Sequence, residues 1–172
     1  MRCKRILQIL TNDRQACHPD IFFVSLIYSL GNAIFTKTIV VIIGFCGGTG
    51  AGKSTLVKYA AQFLGANDTL ILAQDHYYKH LPNFSFEQRC QINFDHPEAL
   101  DFDQMTFDVS KLKQGTSISR PVYSFAEHLR MKETIRCIPK KYILVEGILV
   151  FVHEPLRSLF DYTVYILSLI HI

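Results

Sequence analysis

The chain has 172 residues, 49% of them hydrophobic and 19% charged, with a net charge of +3. That composition excludes a disordered polypeptide, and the length suits one domain with a substantial core. The charge excess sits in residues 1–38, which hold five basic and two acidic residues, while the remainder balances thirteen against thirteen; no polyanion-binding surface follows, and nucleic acid is not an expected partner. Residues 1–37 read as a leader unlike the rest. Its apolar run from Ile21 to Phe35 is too short and interrupted for a membrane span and lacks the flanks of a signal peptide. The expectation is a non-homologous leader, either a dispensable extension or translation from upstream of the true start, and no membrane association beyond a minor anchor alternative. Cys3, Cys17, Cys46, Cys90 and Cys137 are scattered without a C-x-x-C pair, which suggests free thiols in a reducing compartment rather than zinc or disulfides.

Next, the run Thr38-Ile39-Val40-Val41-Ile42-Ile43 predicts a buried parallel strand. It leads into Gly47-Gly48-Thr49-Gly50-Ala51-Gly52-Lys53-Ser54, which fits G-x-x-x-x-G-K-[ST]. Such a loop wraps a nucleotide triphosphate tail in backbone N–H groups. A helix is predicted over Lys53–Leu64, with Leu56, Val57, Ala60, Ala61, Phe63 and Leu64 at helical spacing and Gly65 as its stop. Strands follow at Thr69–Ala73, Tyr142–Val145 and Tyr162–Ile166, and helices at Phe102–Lys113 and Glu154–Leu159. Ser117–Phe125 and Met131–Ile138 read as a hairpin beside the sheet. Strands alternating with helices give an α/β fold, a parallel sheet covered on both faces.

In such sheets ligands sit beyond the carboxyl ends of the strands. Two acids fall there: Asp75 after the strand at 69–73, and Glu146 after the strand at 142–145. Lys53 can reach the terminal phosphates, and Ser54, Asp75 and Glu146 can together hold a hydrated Mg²⁺, with Asp75 also facing an acceptor hydroxyl. Taken singly, either acid is equally a helix cap or a solvated turn. The loop and both strand ends together favour phosphoryl transfer.

Five blocks in order carry a family resemblance: Gly47–Ser54, Gln74–Lys79, Asn93–Asp101, Pro121–Arg130 and Glu146–Leu149. From Thr38 to Ile166 the chain resembles the uridine kinase (uridine–cytidine kinase) family, in its bacterial form, within the phosphoribulokinase-like branch of P-loop kinases. The resemblance implies a P-loop three-layer fold with a small β-hairpin substrate element. It implies phosphorylation of the 5′-hydroxyl of uridine, and of cytidine, by ATP (or GTP) with Mg²⁺, in the cytoplasm, by a homotetramer. Asp75 becomes the catalytic base, and Ser54, Asp75 and Glu146 the magnesium set. Gly47, Gly48, Thr49, Gly50, Ala51, Gly52, Lys53, Ser54 and Thr55 become the nucleotide-binding set. Asp95 would bind the ribose hydroxyls; Tyr123 and His128 would read the pyrimidine edge. Tyr78, Phe94, Phe125 and Ile148 would pack the ring, since a base has an apolar face and a polar rim.

Two departures stand out. Cys46 occupies a position the family commonly fills with a small residue. The family pattern also continues past Ile166 into an arginine-rich lid. Here Leu167-Ser168-Leu169-Ile170-His171-Ile172 reads instead as the translation of a sequencing-library transposon end, the alternative being an ordinary apolar strand end. The expected organisation is therefore a leader at 1–37, a lid-less kinase domain at 38–166 and a foreign tail at 167–172. The alternatives are an inactive fragment or nucleotide-binding module, or a related kinase acting on a sugar phosphate or pantothenate. Without an N-K-x-D guanine reader, a regulatory GTPase leaves the acceptor-side blocks unexplained.

Overall fold

A computed structural model describes residues 6–11 and 40–168. The apolar run at 21–35 and the last four residues of the predicted foreign tail lie outside them. Five parallel strands form the central sheet in the order β1-β7-β2-β6-β3. These are β1 (Ile6–Thr11), β2 (Val41–Gly47), β3 (Thr69–Ala73), β6 (Tyr142–Gly147) and β7 (Tyr162–Ser168).

The central strands β2 and β6 are buried on both faces, which is why they read as apolar runs. Side chains alternate across β2. Ile43 and Phe45 join Leu144, Val164 and Ile166 under helix α1 (Lys53–Leu64), which contributes Val57, Ala60 and Ala61. Ile42 and Cys46 face the opposite way, toward helices α3 (Phe102–Lys113) and α4 (Glu154–Leu159), which supply Met105, Val109, Leu112 and Leu156. Helix, sheet, helix: three layers result, as the element order predicts.

The predicted strand at 38–43 is displaced toward the loop, because Gly44 does not end it. A Cβ at Gly44 would sit 2.5 Å from the Phe160 ring, so this glycine admits a neighbouring aromatic within the strand rather than breaking it. Gly65 closes α1 at φ 96°, as expected. Phe63, predicted on the buried face of α1, is 53% exposed. The strand β1, which no pattern foreshadows, pairs in register with β7 from Ile6↔Thr163 to Thr11↔Ser168.

Strands β4 (Ile118–Ser124) and β5 (Leu129–Cys137) form the expected antiparallel hairpin apart from the main sheet. Pro121 and Tyr123, two apart and so on one face, are both buried, and the register shifts between them opposite residues 130–134 of β5. A short helix, α2 (Phe86–Cys90), begins with a capping box in which the Ser85 hydroxyl accepts from the Gln88 N–H.

Candidate active site

The phosphate loop is shaped by glycines for different reasons. At Gly47 a Cβ would meet the Ile166 carbonyl at 2.6 Å, so β7 can lie against the loop entrance only here. Gly50 (φ 77°) and Gly52 (φ 81°) occupy the left-handed region that side chains disfavour. No heavy atom lies within 4 Å of where a Cβ would stand on Gly48, Gly50 or Gly52, so the cradle is open above its backbone. The helix α1 starts directly behind it, aiming its free N–H groups and positive dipole end at the opening. Lys53 folds back so that its Nζ donates to the Gly48 carbonyl at 3.0 Å.

Ser54, next on α1, donates from its Oγ to Glu146 Oε2 at 3.0 Å. Glu146 stands at the end of β6, in register with Phe45 on β2 and Ala73 on β3. From Ala73 the chain enters a tight 3₁₀ turn, Gln74–Tyr77, that carries Asp75. The N-cap of that turn, Ala73, supplies no side-chain cap. Although Asp75 is exposed at the rim, the protein around it removes enough water to raise its carboxyl above the ordinary carboxylate value. The Lys53 charge opposes that rise and the Asp95 charge adds to it. Lys53 and both predicted acceptor-side acids thus share one electrostatic neighbourhood.

Gln74 locks the two strand ends together. It is fully buried, and its Oε1 accepts from the Leu149 N–H at 2.8 Å. A Cβ at Gly147 would collide with the Gln74 side chain. Among the described residues, no three His, Cys, Asp or Glu side chains converge into a metal cage. Mg²⁺ asks for less, since it keeps several waters and takes one or two carboxylates plus phosphate oxygens. The Ser54–Glu146 pair, with Asp75 at the neighbouring strand end, is a donor set of that kind.

Beside the carboxylates lies a wall of rings. Tyr78 packs against Phe94 (centroids 5.0 Å, 76°) and Tyr123 (5.1 Å). His128 stacks on Phe94 at 5.1 Å and 18°, and Phe125 meets Tyr123 edge-on at 5.5 Å. His128 holds φ 47° at the hairpin bend, a left-handed conformation that histidine tolerates better than most residues. The Tyr78 phenol is pushed up strongly, first by burial and then by the Asp75 and Asp95 charges. Burial also raises the Tyr123 phenol. The Tyr123 hydroxyl is buried and has no hydrogen-bond partner among the described residues. A buried polar group left unmatched is costly and calls for an explanation.

The chain matches the model of the phosphoribulokinase / uridine kinase family over residues 42–172. It belongs to that family. Among curated relatives it is similar to a uridine kinase of Anoxybacillus flavithermus (42% identical over 126 residues, 73% of this chain and 60% of the relative). A uridine kinase of Borrelia duttonii is 40% identical over 125 residues, 73% of this chain and 59% of the relative. The chain therefore spans about three fifths of the length of these relatives. Among solved structures, a possible uridine kinase from Bacillus stearothermophilus superposes with a TM-score of 0.59 at 19% identity, covering 86% of this chain and 80% of that one. D-glycerate 3-kinase from Cryptococcus neoformans gives 0.53 at 17% identity, covering 77% and 52%. These likenesses show the shared P-loop kinase fold.

All nucleotide-side residues predicted for this family member, Gly47 to Thr55, lie in the loop and the first turn of α1. Tyr78, Phe94, Tyr123, Phe125 and His128 come together in one ring cluster. Asp95 follows Phe94 at the exposed rim, and Ile148 follows β6, half-buried, its carbonyl accepting from Cys46 Sγ at 3.2 Å. The residues that fasten the Asp75 turn, among them Tyr77, Asp101 and Arg130, have no predicted role. Their place inside the recognised blocks was the available signal.

Proposed function

We propose that this chain carries the nucleotide and nucleoside sites of an ATP-dependent kinase that phosphorylates the 5′-hydroxyl of uridine, and also of cytidine. The donor is ATP, with GTP as the alternative. The observation that carries the reading is the orphaned Tyr123 hydroxyl. It sits among Tyr78, Phe94 and Phe125, beside acids coupled to a phosphate-loop lysine. A flat heterocycle suits such rings, and its polar edge would supply the partner Tyr123 lacks. Sugar-phosphate acceptors call for basic residues at the same place.

In this reading the loop N–H groups and Lys53 hold the phosphates, and Ser54, Asp75 and Glu146 hold Mg²⁺. The metal supplies charge neutralisation on the transferring phosphoryl group. Asp95 accepts from the ribose hydroxyls, while Tyr123 and His128 read the base edge. Asp75 takes the proton of the 5′-hydroxyl as that oxygen bonds to the γ-phosphorus and the ADP oxygen leaves. The family relation also supports a cytoplasmic homotetramer.

The test is calorimetric titration with uridine in the presence of a non-hydrolysable ATP analogue. Saturable uridine binding, competed by cytidine and not by ribose 5-phosphate, is the expected result. Binding of a sugar phosphate or pantothenate in place of uridine would refute the reading.

A further inference from the structure

The turn that carries Asp75 is gripped from two directions. Helix α3 holds it from below. The Asp101 N–H donates to the Tyr77 carbonyl at 2.8 Å, and the Tyr77 hydroxyl donates to Asp108 Oδ2 at 3.0 Å. Asp101 and Asp108 lie two helical turns apart, on one face of α3. The Gln104 Nε2 donates to the second Asp108 oxygen at 3.0 Å, so this buried carboxylate is fully engaged.

The second grip comes from the hairpin. Arg130, near the start of β5, donates from Nε (3.1 Å) and Nη2 (2.7 Å) to the Tyr78 carbonyl. Its Nη1 donates to Asp101 Oδ2 at 3.2 Å, and the Arg130 side chain is 17% exposed. One planar fork thus binds three things at once: the hairpin it belongs to, the residue three places after Asp75, and the N-cap of α3. The Tyr78 ring beyond that carbonyl packs on Tyr123 of β4 and on Phe94.

We propose that Arg130 is a positioning residue: it fastens the ring-bearing hairpin to the Asp75 turn and so sets where a nucleoside held by the rings presents its hydroxyl to Asp75. The inference rests on the reading of the site given above. The geometry favours it because the two halves of the acceptor site belong to separate sheets, β4–β5 and the central five strands. Ring packing of Tyr78 on Tyr123 brings the two halves together, and the Arg130 fork adds the directional tie that fixes their spacing. A displacement of about 1 Å is enough to cost on the order of 10²-fold in a reaction that depends on alignment. Lysine cannot replace the tie, since an ammonium does not span both acceptors in one plane.

The test uses the full chain and measures uridine and ATP-analogue binding separately, with turnover alongside. Arg130→Ala is expected to weaken uridine binding at least about tenfold and to lower turnover further, while ATP-analogue affinity stays within about twofold. Arg130→Lys should recover little, whereas added methylguanidinium should recover part of the Arg130→Ala loss. Asp101→Asn should act in the same direction and add little on top of Arg130→Ala, because the two share one network. Lys132→Ala, an exposed position on the same strand, should change neither affinity. Unchanged uridine binding in Arg130→Ala overturns the proposal. So does a parallel loss of uridine and nucleotide affinity with a lowered melting temperature and no guanidinium rescue. Absence of uridine binding by the unsubstituted chain removes the underlying site reading, and the inference falls with it.

Discussion

Replacing Asp75 by Asn perturbs chemistry and stability in opposite directions, and both follow from its surroundings. The amide keeps the shape at the head of the 3₁₀ turn but cannot accept the hydroxyl proton. General-base catalysis is typically worth about 10²–10⁴-fold, and turnover should fall by that amount while nucleotide affinity changes little. Stability responds the other way. Burial holds the Asp75 carboxyl above its ordinary value of 3.8, and Asp95 adds to this, so folding favours the neutral form. Below the ordinary value the carboxyl is protonated in both folded and unfolded chains and nothing is lost. As pH rises through the folded value the charged form becomes a burden, complete at neutral pH. The permanently neutral Asn escapes it. Since Asp75 is solvent-exposed, screening keeps the gain below about 1 kcal/mol, or at most about 4 °C in melting temperature for a chain of this size. Thermal melts at pH 7.5 and at about pH 3 would thus show Asn above Asp at the first and level with it at the second. A variant that loses stability at neutral pH, or keeps normal turnover, refutes the assignment of Asp75 as a strained, proton-accepting carboxylate.

Tyr123→Phe removes a buried hydroxyl with no protein partner, so melting temperature should hold or rise. Uridine affinity, measured by calorimetry, should fall about two- to tenfold, the worth of one neutral hydrogen bond. In Gly52→Ala the added methyl meets open space, so the penalty is backbone strain at φ 81° alone. ATP-analogue affinity should drop by roughly tenfold, with about 1–2 kcal/mol at stake in the left-handed region. Gly147→Ala drives a Cβ into buried Gln74 and should lower stability by about 1–3 kcal/mol in a denaturant melt, with uridine and nucleotide affinity falling together.

How far the structure was legible depended on whether a signal was local. The phosphate loop, α1, the strand-end acids and the hairpin were all visible, because glycine spacing and apolar periodicity act over a few residues. Gly44 misled because a glycine inside an apolar run looks the same whether it ends a strand or admits a distant ring. Only Phe160, far along the chain, decides between them. Phe63 misled because its spacing matches the buried face of α1, yet the short residues Ala60 and Ala61 fill the contact with the sheet. Pairing of β1 with β7 joins segments more than 150 residues apart, beyond any local pattern. At the site, the ring cluster followed from the recognised blocks. The Arg130 tie did not, for its partners lie 29 and 52 positions away and surface arginines look alike in sequence.

The most direct measurement of the central claim is a single-turnover transfer assay with the chain in excess over γ-labelled ATP, Mg²⁺ present, and either uridine or 5′-deoxyuridine as acceptor. The account predicts labelled UMP from uridine. From 5′-deoxyuridine it predicts no labelled product, although that analogue should still compete for binding. Label appearing on 5′-deoxyuridine, or on a sugar phosphate while bound uridine stays unmodified, would contradict it.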